Sequence, residues 1–368
     1  MKTSPIRTLL AISVAGATLL ATAACGSSGG TSTSSSASAT SNPSSSPSGP
    51  SQSATTDSSS AAPTAPAAMR DVTVLLDWFP NPDHVSLYVT KDQGLFDQAG
   101  LNVTLQPPSD PADPPKLVST GDVDLGISYQ TEMPYSFQNG LKVKAVAALI
   151  PTALNSMIWL KKSGINSFKD LSGKTIGTAG LPTDEAFLNA IFKANGVDPN
   201  SVNIVTVKTS LVQALESGKA DAVIGAYGNI EGVQLQQDGM DPVITPVSAA
   251  GVPNYDELVV IANSDRLASD SDYQQMVRDF LSALSKGTQL AIADPAASEK
   301  AMSGVVEDIS GPALTAQIDA TLPLLNNPDG FGVMNSADWD VFNQFLKSEG
   351  LIDSVPPASD LQTDEFLQ

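Results

Sequence analysis

The chain has 368 residues and a net charge of −20, from 39 acidic and 19 basic side chains. This balance argues against nucleic acid or anionic lipid as a partner, because both are polyanions. The chain contains one cysteine and one histidine. A single cysteine cannot form an internal disulfide, and Cys25 precedes the folded region, so His84 has no cysteine partner there for a Cys-His or thiolate–zinc site. We therefore predict no enzymatic activity, no cofactor and no metal site.

The first 25 residues have the pattern of an export signal. Basic residues precede an apolar core, Leu9–Leu20, that is too short to span a membrane comfortably. Small residues then lead to Cys25, placed as the lipidated cysteine of a bacterial lipoprotein is, although Thr22 stands where leucine is usual. We predict a lipoprotein signal peptide over 1–25 with lipidation at Cys25. Plain secretion with an unmodified cysteine is the alternative.

Residues 26–70 are almost entirely Ser, Thr, Ala, Gly and Pro, without hydrophobic periodicity. Such a composition cannot bury a core, so we predict a disordered, flexible tether. It would hold a folded domain outside the cytoplasm, attached to the cell membrane through a lipid anchor only. The roughly 300 residues that follow exceed one typical domain and indicate two lobes.

The folded region begins with an apolar run over 72–76 that is bounded by turn residues. This pattern is typical of a strand buried on both faces in an α/β sheet. Asp77, Trp78 and Phe79 follow directly, and then Pro-Asn-Pro, so an indole ring and polar groups stand at the strand's carboxyl end. In open α/β sheets, ligands bind at that edge.

Helix and strand patterns alternate to about residue 260, and helices dominate the last third. We predict strands over 101–105, 123–127, 143–150, 155–160 and 174–177, and helices over 85–93, 115–119, 273–292, 313–325 and 339–349. Segments 155–160 and 258–262 are predicted to cross between lobes. We therefore assign 71–154 plus 263–368 to lobe 1 and 155–262 to lobe 2, with hinge crossings at the ends of lobe 2.

A short motif, G-x-x-D followed by a buried strand, occurs at 121–127 and again at 218–225. Its repetition suggests that the two lobes are built alike. Aromatic and polar residues follow both strands, at 129–132 and 227–231. These corners are candidate ligand contacts. For Trp78 the alternative is burial in the core, and for Glu231 it is a first-turn position that favours the helix dipole.

These residues make the sequence similar to a known family. It resembles the substrate-binding proteins of ABC importers for thiamine pyrimidine precursors, which bind formylaminopyrimidine or hydroxymethylpyrimidine and share a superfamily with hydroxymethylpyrimidine synthase. The likeness spans about 72–351 and is carried by LDWFPNPDH (76–84), VDLGISYQTE (123–132), GTAGLPTDEA (177–186), GAYGNIEG (225–232) and GVPNYDELV (251–259). It implies an α/β, two-lobed periplasmic-binding-protein fold of type II, with the ligand in an inter-lobe cleft that closes by hinge bending.

Two departures separate the chain from the synthase branch. Glu132 aligns where the synthase carries its substrate histidine, and Asp-Glu-Leu-Val at 256–259 stands where the synthase has a cysteine-rich motif. Both departures argue against the enzyme. The remaining alternatives are a pyrimidine synthase-type enzyme and a binding protein for a sulfonate or another small nitrogenous ligand.

The resemblance implies a small-molecule pyrimidine as ligand, ABC permease subunits as partners, and a monomer. Trp78 and Tyr227 are expected to stack on the ring, Glu231 to accept from its amine, and Asn81 and Gln130 to serve the ring nitrogens. The full set of predicted ligand-binding residues is Trp78, Asn81, His84, Gln130, Glu132, Asn155, Glu185, Tyr227 and Glu231.

Overall fold

The structure, a computed structural model, describes residues 69–307 and 309–367. The predicted signal peptide, Cys25 and nearly all of the predicted tether lie outside the described residues. The composition predicts a tether that reaches residue 70, but Arg70 already begins the first strand, and its N–H donates to the carbonyl of Gly100 at 2.9 Å. The folded domain therefore starts slightly earlier than the composition indicates.

In the part of the chain that the structure describes, ten strands form two five-stranded sheets. In chain order they are β1 Arg70–Leu75, β2 Leu101–Gln106, β3 Leu125–Ser128, β4 Val143–Ile150, β5 Asn155–Leu160, β6 Thr175–Thr178, β7 Asn203–Thr206, β8 Ala222–Tyr227, β9 Pro242–Pro246 and β10 Leu258–Asn263. The first sheet has the order β2-β1-β3-β10-β4, and the second has the order β7-β6-β8-β5-β9.

Fourteen α-helices cover the sheets within the described residues. They are α1 Val85–Asp92, α2 Leu95–Gln98, α3 Asp113–Thr120, α4 Met133–Gln138, α5 Pro182–Asn195, α6 Leu211–Glu216, α7 Glu231–Gln237, α8 Val247–Ala250, α9 Ser264–Ser269, α10 Ser271–Ala293, α11 Pro295–Met302, α12 Pro312–Thr321, α13 Ser336–Ser348 and α14 Ala358–Leu361. In this part of the chain, no helix is both long and apolar enough to cross a membrane.

The two sheets share one topology. In each, a central strand pairs in parallel with two others, β1 with β2 and β3, and β6 with β7 and β8. An antiparallel strand then follows, β10 beside β3 and β5 beside β8, and an antiparallel edge strand closes the sheet. The strand that enters each sheet from the other lobe thus takes the same position in both.

The end of lobe 2 differs from the prediction. The sequence predicts that lobe 2 runs to residue 262, but β10, Leu258–Asn263, lies inside the first sheet between β3 and β4. The chain has therefore already returned to lobe 1 at Leu258. The apolar side chains that suggest a crossing segment are instead buried within the sheet, and the return passes through the residues before Leu258.

The C-terminal helices pack on both lobes. Trp339 of α13 belongs to the core beneath the first sheet, whereas Phe342 and Leu346 of the same helix pack in the core of the second lobe. Ile318 of α12 is buried in the lobe 1 core. The C-terminal third therefore joins the lobes rather than covering lobe 1 alone.

Candidate functional site

The loops that follow the parallel strands meet where the lobes approach each other. Asn229, just after β8, donates from Nδ2 to Oδ1 of Asp83, which follows β1, at 2.6 Å. The ring of Tyr227 packs against the lobe 1 core, and its hydroxyl donates to Glu257, directly before β10, at 3.0 Å. The carboxyl ends of β1, β3 and β8 thus surround one inter-lobe region, which is the candidate ligand site.

Two aromatic rings at the end of β1 face solvent. Trp78 is 43% exposed and Phe79 is 63% exposed, and their rings meet edge to face at a centroid distance of 6.1 Å. Trp78 is therefore not a core residue, and the alternative interpretation is wrong. Trp78 is therefore free to stack on a flat ligand.

The only histidine is fully buried and bonded at both ring nitrogens. Nε2 of His84 lies 2.8 Å from Oδ1 of Asp77, and Nδ1 accepts the backbone N–H of Asn81 at 3.2 Å. The other Asp77 oxygen accepts the hydroxyl of Tyr129 at 2.7 Å. Burial works to raise the pKa of Asp77, but the contacts with His84 and Tyr129 outweigh it and lower the pKa. His84 thus holds Asp77 in place rather than presenting a free nitrogen.

The side chain of Asn81 is likewise hydrogen-bonded within its own turn. Its Oδ1 accepts the N–H of Asp83 at 2.8 Å, capping the short 3₁₀ helix Pro82–His84, and its Nδ2 donates to the carbonyl of Phe79 at 3.1 Å. The side chain shapes the turn after Trp78. Its predicted contact with a ring nitrogen would require these two bonds to break.

The corner after β3 holds one buried amide and one exposed carboxylate. Gln130 is 1% exposed, and its Oε1 accepts the backbone N–H of Asp256 at 2.7 Å. Its Nε2 is buried and has no hydrogen-bond partner among the described residues. Such a donor requires an acceptor, and a ligand or water would supply one. Glu132, two residues on, is exposed.

Glu257 accepts more hydrogen bonds than the other carboxylates of this region. Its oxygens accept the hydroxyls of Tyr227 and Tyr255, each at 3.0 Å, and the backbone N–H groups of Leu154 and Asn155 at 2.8 and 3.3 Å. Burial raises the pKa of Glu257, while these donors pull it back. Glu257 thereby ties both inter-lobe crossings together and fixes the ring of Tyr227.

Glu231 begins α7 and turns back towards its own loop. Its Oε2 accepts the backbone N–H of Tyr227 at 2.7 Å. This contact lies within the same loop and agrees with the alternative interpretation, in which Glu231 serves the first turn of its helix. Its second oxygen, Oε1, makes no hydrogen bond to another described residue. Burial raises the pKa of the carboxyl, against the backbone N–H groups of Tyr227 and of Glu231 itself. One oxygen is thus structural and the other is available.

The lobe 2 side of the site is formed by β5, β8 and the start of α5. Asn155 is buried, and its Oδ1 accepts the N–H of Gly225 at 3.1 Å. At the start of α5, Asp184 is 2% exposed and accepts the N–H groups of Gly180 and Leu181, at 2.8 and 3.0 Å. Glu185, the predicted ligand residue, is exposed in the same turn.

The region is acidic. Its carboxylates are Asp77, Asp83, Asp184, Glu231 and Glu257, and within the described ranges none of them pairs with a lysine or arginine. Among these carboxylates, Asp77 contacts the imidazole of His84, with 2.8 Å between Oδ1 and Nε2. The described residues also contain no cluster of three or more side chains suited to hold a metal. The site favours a cation or a hydrogen-bond donor over an anion.

A family model described as "NMT1/THI5 like" matches residues 81–298, which is more than half of the chain. The chain belongs to this family. The NMT1/THI5-like chain is 31% identical over 299 residues to the formylaminopyrimidine-binding protein of Halalkalibacterium halodurans, covering 80% of this chain and 89% of that protein. It is 25% identical to the 4-amino-5-hydroxymethyl-2-methylpyrimidine phosphate synthase of Legionella pneumophila, covering 80% of this chain and 92% of that enzyme.

Solved structures show the same fold. The alkanesulfonate-binding protein SsuA of Xanthomonas axonopodis pv. citri superposes with a TM-score of 0.59 at 16% sequence identity, covering 81% of this chain and 99% of SsuA. The predicted α/β, two-lobed periplasmic-binding-protein fold is confirmed. At this identity, the likeness of the NMT1/THI5-like chain to SsuA concerns the fold alone.

Sequence reasoning left out four residues that the structure places in this region: Asp83, Asp184, Asn229 and Glu257. Glu257 carried a signal, because a carboxylate directly before a fully apolar strand is unusual unless it is bonded. No sequence pattern pointed to Asp83 or Asn229. Each stands in a turn, where short polar residues are common, and their contact joins residues 146 positions apart.

Proposed function

We propose that this chain is the extracytoplasmic, lipid-anchored substrate-binding protein of an ABC importer, and that it captures a thiamine pyrimidine precursor, formylaminopyrimidine or hydroxymethylpyrimidine. The observation that carries this proposal is the pairing of an exposed indole, Trp78, with a carboxylate-rich corner that has no cationic partner among the described lysines and arginines. An aminopyrimidine offers a flat face to the indole and an amine to a carboxylate. The name of the Halalkalibacterium halodurans relative supports this ligand class.

A sulfonate is the weaker ligand in this proposal. A sulfonate carries a full negative charge and needs converging cations or free amide donors. Here the loops offer Asp77, Asp83, Glu231 and Glu257, and desolvating an anion beside them is unfavourable. The fold shared with SsuA therefore does not extend to a shared ligand preference.

Binding rather than synthesis is the proposed activity. The family includes synthases, so membership alone leaves both activities open. The position aligned with the synthase histidine is Glu132, which is exposed, and the segment aligned with its cysteine motif supplies Asp256 and Glu257 to structural hydrogen bonds. Asp256 and Glu257 thus have a use that does not require chemistry on a substrate.

Calorimetric titration tests the ligand. We expect the wild-type chain to bind formylaminopyrimidine or hydroxymethylpyrimidine and to give no heat with an alkanesulfonate at the same concentration. Trp78→Ala should weaken binding of either pyrimidine by about 0.5–1.5 kcal/mol, roughly two- to tenfold, because stacking does not distinguish their substituents. The matched control is Phe137→Ala, an equally exposed aromatic on α4, 44% against 43%. Preferential binding of the sulfonate would refute the proposed ligand.

The anchor is tested separately. Cys25 is the only cysteine, so Cys25→Ala removes the sole thiol to which a lipid thioether could be attached. We expect the variant to move from the membrane fraction to the soluble fraction or the medium, as measured by fractionation and immunoblotting. Full retention in the membrane fraction would show that something other than Cys25 holds the chain there.

A further inference from the structure

A buried polar contact links the two lobes outside the aromatic part of the site. Asp83 lies in lobe 1 after β1, and Asn229 lies in lobe 2 after β8; both are 3% exposed. Nδ2 of Asn229 donates to Oδ1 of Asp83 at 2.6 Å and to Oγ1 of Thr321 at 2.8 Å. Thr321 is fully buried at the end of α12. The side-chain amide of Asn229, on lobe 2, thus donates to two acceptors on lobe 1.

A neighbouring contact strengthens the same junction. Nε2 of Gln317, one turn before Thr321 on α12, donates to the carbonyl of Ile230 at 3.3 Å. The loop after β8 is therefore held by α12 through both a side chain and a backbone group. Because Tyr227 and Glu231 flank this loop, its position sets the position of the ligand-facing corner of lobe 2.

A negative charge on Asp83 is unfavourable while the lobes are together. Burial raises its pKa to about 7, even though the Asn229 hydrogen bond and His84 favour the charged form. Asp77 on lobe 1 and Glu231 on lobe 2 face Asp83 and disfavour a second negative charge. From α12, the uncharged Thr321 and Gln317 contact the amide partner of this group and its loop.

We propose that Asp83, Asn229 and Thr321 form a latch between the lobes whose closing is coupled to the protonation of Asp83. When the lobes separate, Asp83 loses Asn229 and gains water, so its carboxyl returns towards its ordinary behaviour. The closed form then holds a proton that the open form releases. Protonation favours closing increasingly as the pH falls from about 7 towards the ordinary range of an aspartate, and above about 7 this contribution is lost.

The latch is tested by the distance between spin labels on opposite lobes, measured by pulsed electron resonance without added ligand. The labels are attached through the substitutions Ser109→Cys and Thr209→Cys, at exposed positions that follow the edge strands β2 and β7. The background is the full chain with Cys25→Ser, because Cys25 is its only natural cysteine. Omitting the ligand separates this test from the proposed function.

For the wild-type chain, we expect the ratio of open to closed populations to be about tenfold larger at pH 8 than at pH 6, from a closed-state pKa of about 7. Asp83→Asn keeps the shape and an acceptor for Asn229, but it cannot titrate. Its ratio should be the same at both pH values. Identical distance distributions for wild type and Asp83→Asn at both pH values would overturn the coupling to protonation.

A second pair of variants tests the latch itself. Thr321→Val replaces one hydroxyl by a methyl group and removes an acceptor of Asn229, so the open population should rise at both pH values. Thr315→Val is the matched control, because the Thr315 hydroxyl also donates to the carbonyl four residues before it on α12 but has no bond to lobe 2 among the described residues. Equal populations in the two valine variants would show that the contact does not hold the lobes.

Discussion

The carboxylate of Glu231 has two oxygens in different situations. Oε2 closes the loop by accepting the backbone N–H of Tyr227 at 2.7 Å, whereas Oε1 makes no hydrogen bond to another described residue. The local and the ligand-binding interpretations of this residue are therefore compatible. A substitution that preserves the first role and changes the second can separate them.

Glu231→Gln is that substitution. Its amide oxygen can still accept from Tyr227, so the free energy of unfolding should change by less than about 0.5 kcal/mol. Affinity for an aminopyrimidine should fall by about 1.5–3 kcal/mol, roughly ten- to hundredfold, because a charge-assisted acceptor is lost. Calorimetric titration with parallel urea unfolding measures both. Unchanged affinity would leave Glu231 with its loop-closing role alone.

How far side chains could be predicted depended on whether their partners were local. Trp78 lies at an exposed strand end, a position that follows from the chain order of a buried strand and a proline turn. The hydrogen bonds at both ring nitrogens of His84 could not be predicted, because their partners come into reach only once the turn over 77–84 is folded. The predicted ligand set as a whole stays a prediction.

At the scale of elements, the repeated G-x-x-D motif has a common use. Oδ2 of Asp124 accepts the N–H of Thr73 at 3.0 Å, and Oδ2 of Asp221 accepts the N–H of Thr175 at 2.9 Å. Each aspartate thus joins the start of its strand to the parallel neighbour, β1 or β6. An aspartate in a turn commonly caps that turn, but here the bond runs between strands and supports the similarity of the two sheets.

The contact between α1 and α10 depends on a glycine. A Cβ on Gly287 would lie 2.8 Å from Cβ and 2.9 Å from Cα of Thr90 on α1. The backbone of Thr90 cannot rotate away as a flexible side chain could. The two helices therefore approach closely because position 287 has no side chain.

Gly287→Ala should destabilise the fold by about 1–3 kcal/mol through overpacking, although alanine is the better helix former by about 1 kcal/mol. Urea unfolding checks the sign. Gln289→Ala, at an exposed position of the same helix, is the control and should change stability by less than about 0.5 kcal/mol. A more stable Gly287→Ala variant would mean that the helices can move apart without loss.

At the scale of the whole molecule, Asp256 connects three parts of the chain. Its backbone N–H donates to Gln130 after β3, and its Oδ2 accepts the indole N–H of Trp339 on α13 at 2.7 Å. Burial raises its pKa to about 6, from an ordinary value of 3.8, and the negative charges of Asp338 and Asp364 add to this rise, against the indole bond.

The folded state therefore holds a proton at Asp256 that the unfolded chain releases between about pH 4 and pH 6. Stability contributed by this group is present below that window and is lost as the pH rises through it. Relative to wild type, Asp256→Asn should gain on the order of 3 kcal/mol of unfolding free energy between pH 4 and pH 7. Urea unfolding at several pH values measures the difference, with Asp238→Asn, an exposed aspartate, as the control. A pH-independent difference would contradict the assignment.

The two-lobed architecture could be predicted, because alternating patterns and the family resemblance both depend on long stretches of sequence. The limit of lobe 2 could not, since an apolar run over 258–262 is equally suited to cross between lobes or to lie within a sheet. Only pairing with β3 and β4 decides the matter, and those partners are more than a hundred residues away.

The position of β10 also affects the order in which the chain can fold. β4 ends at Ile150, but the strand that separates it from β3 begins only at Leu258. The second sheet needs only residues 155–246, whereas the first sheet stays incomplete until that entire segment has emerged. Pairings of such long sequence separation form late and slowly. During synthesis, the edge of the partial first sheet at β3 therefore stays unpaired until β10 has been made.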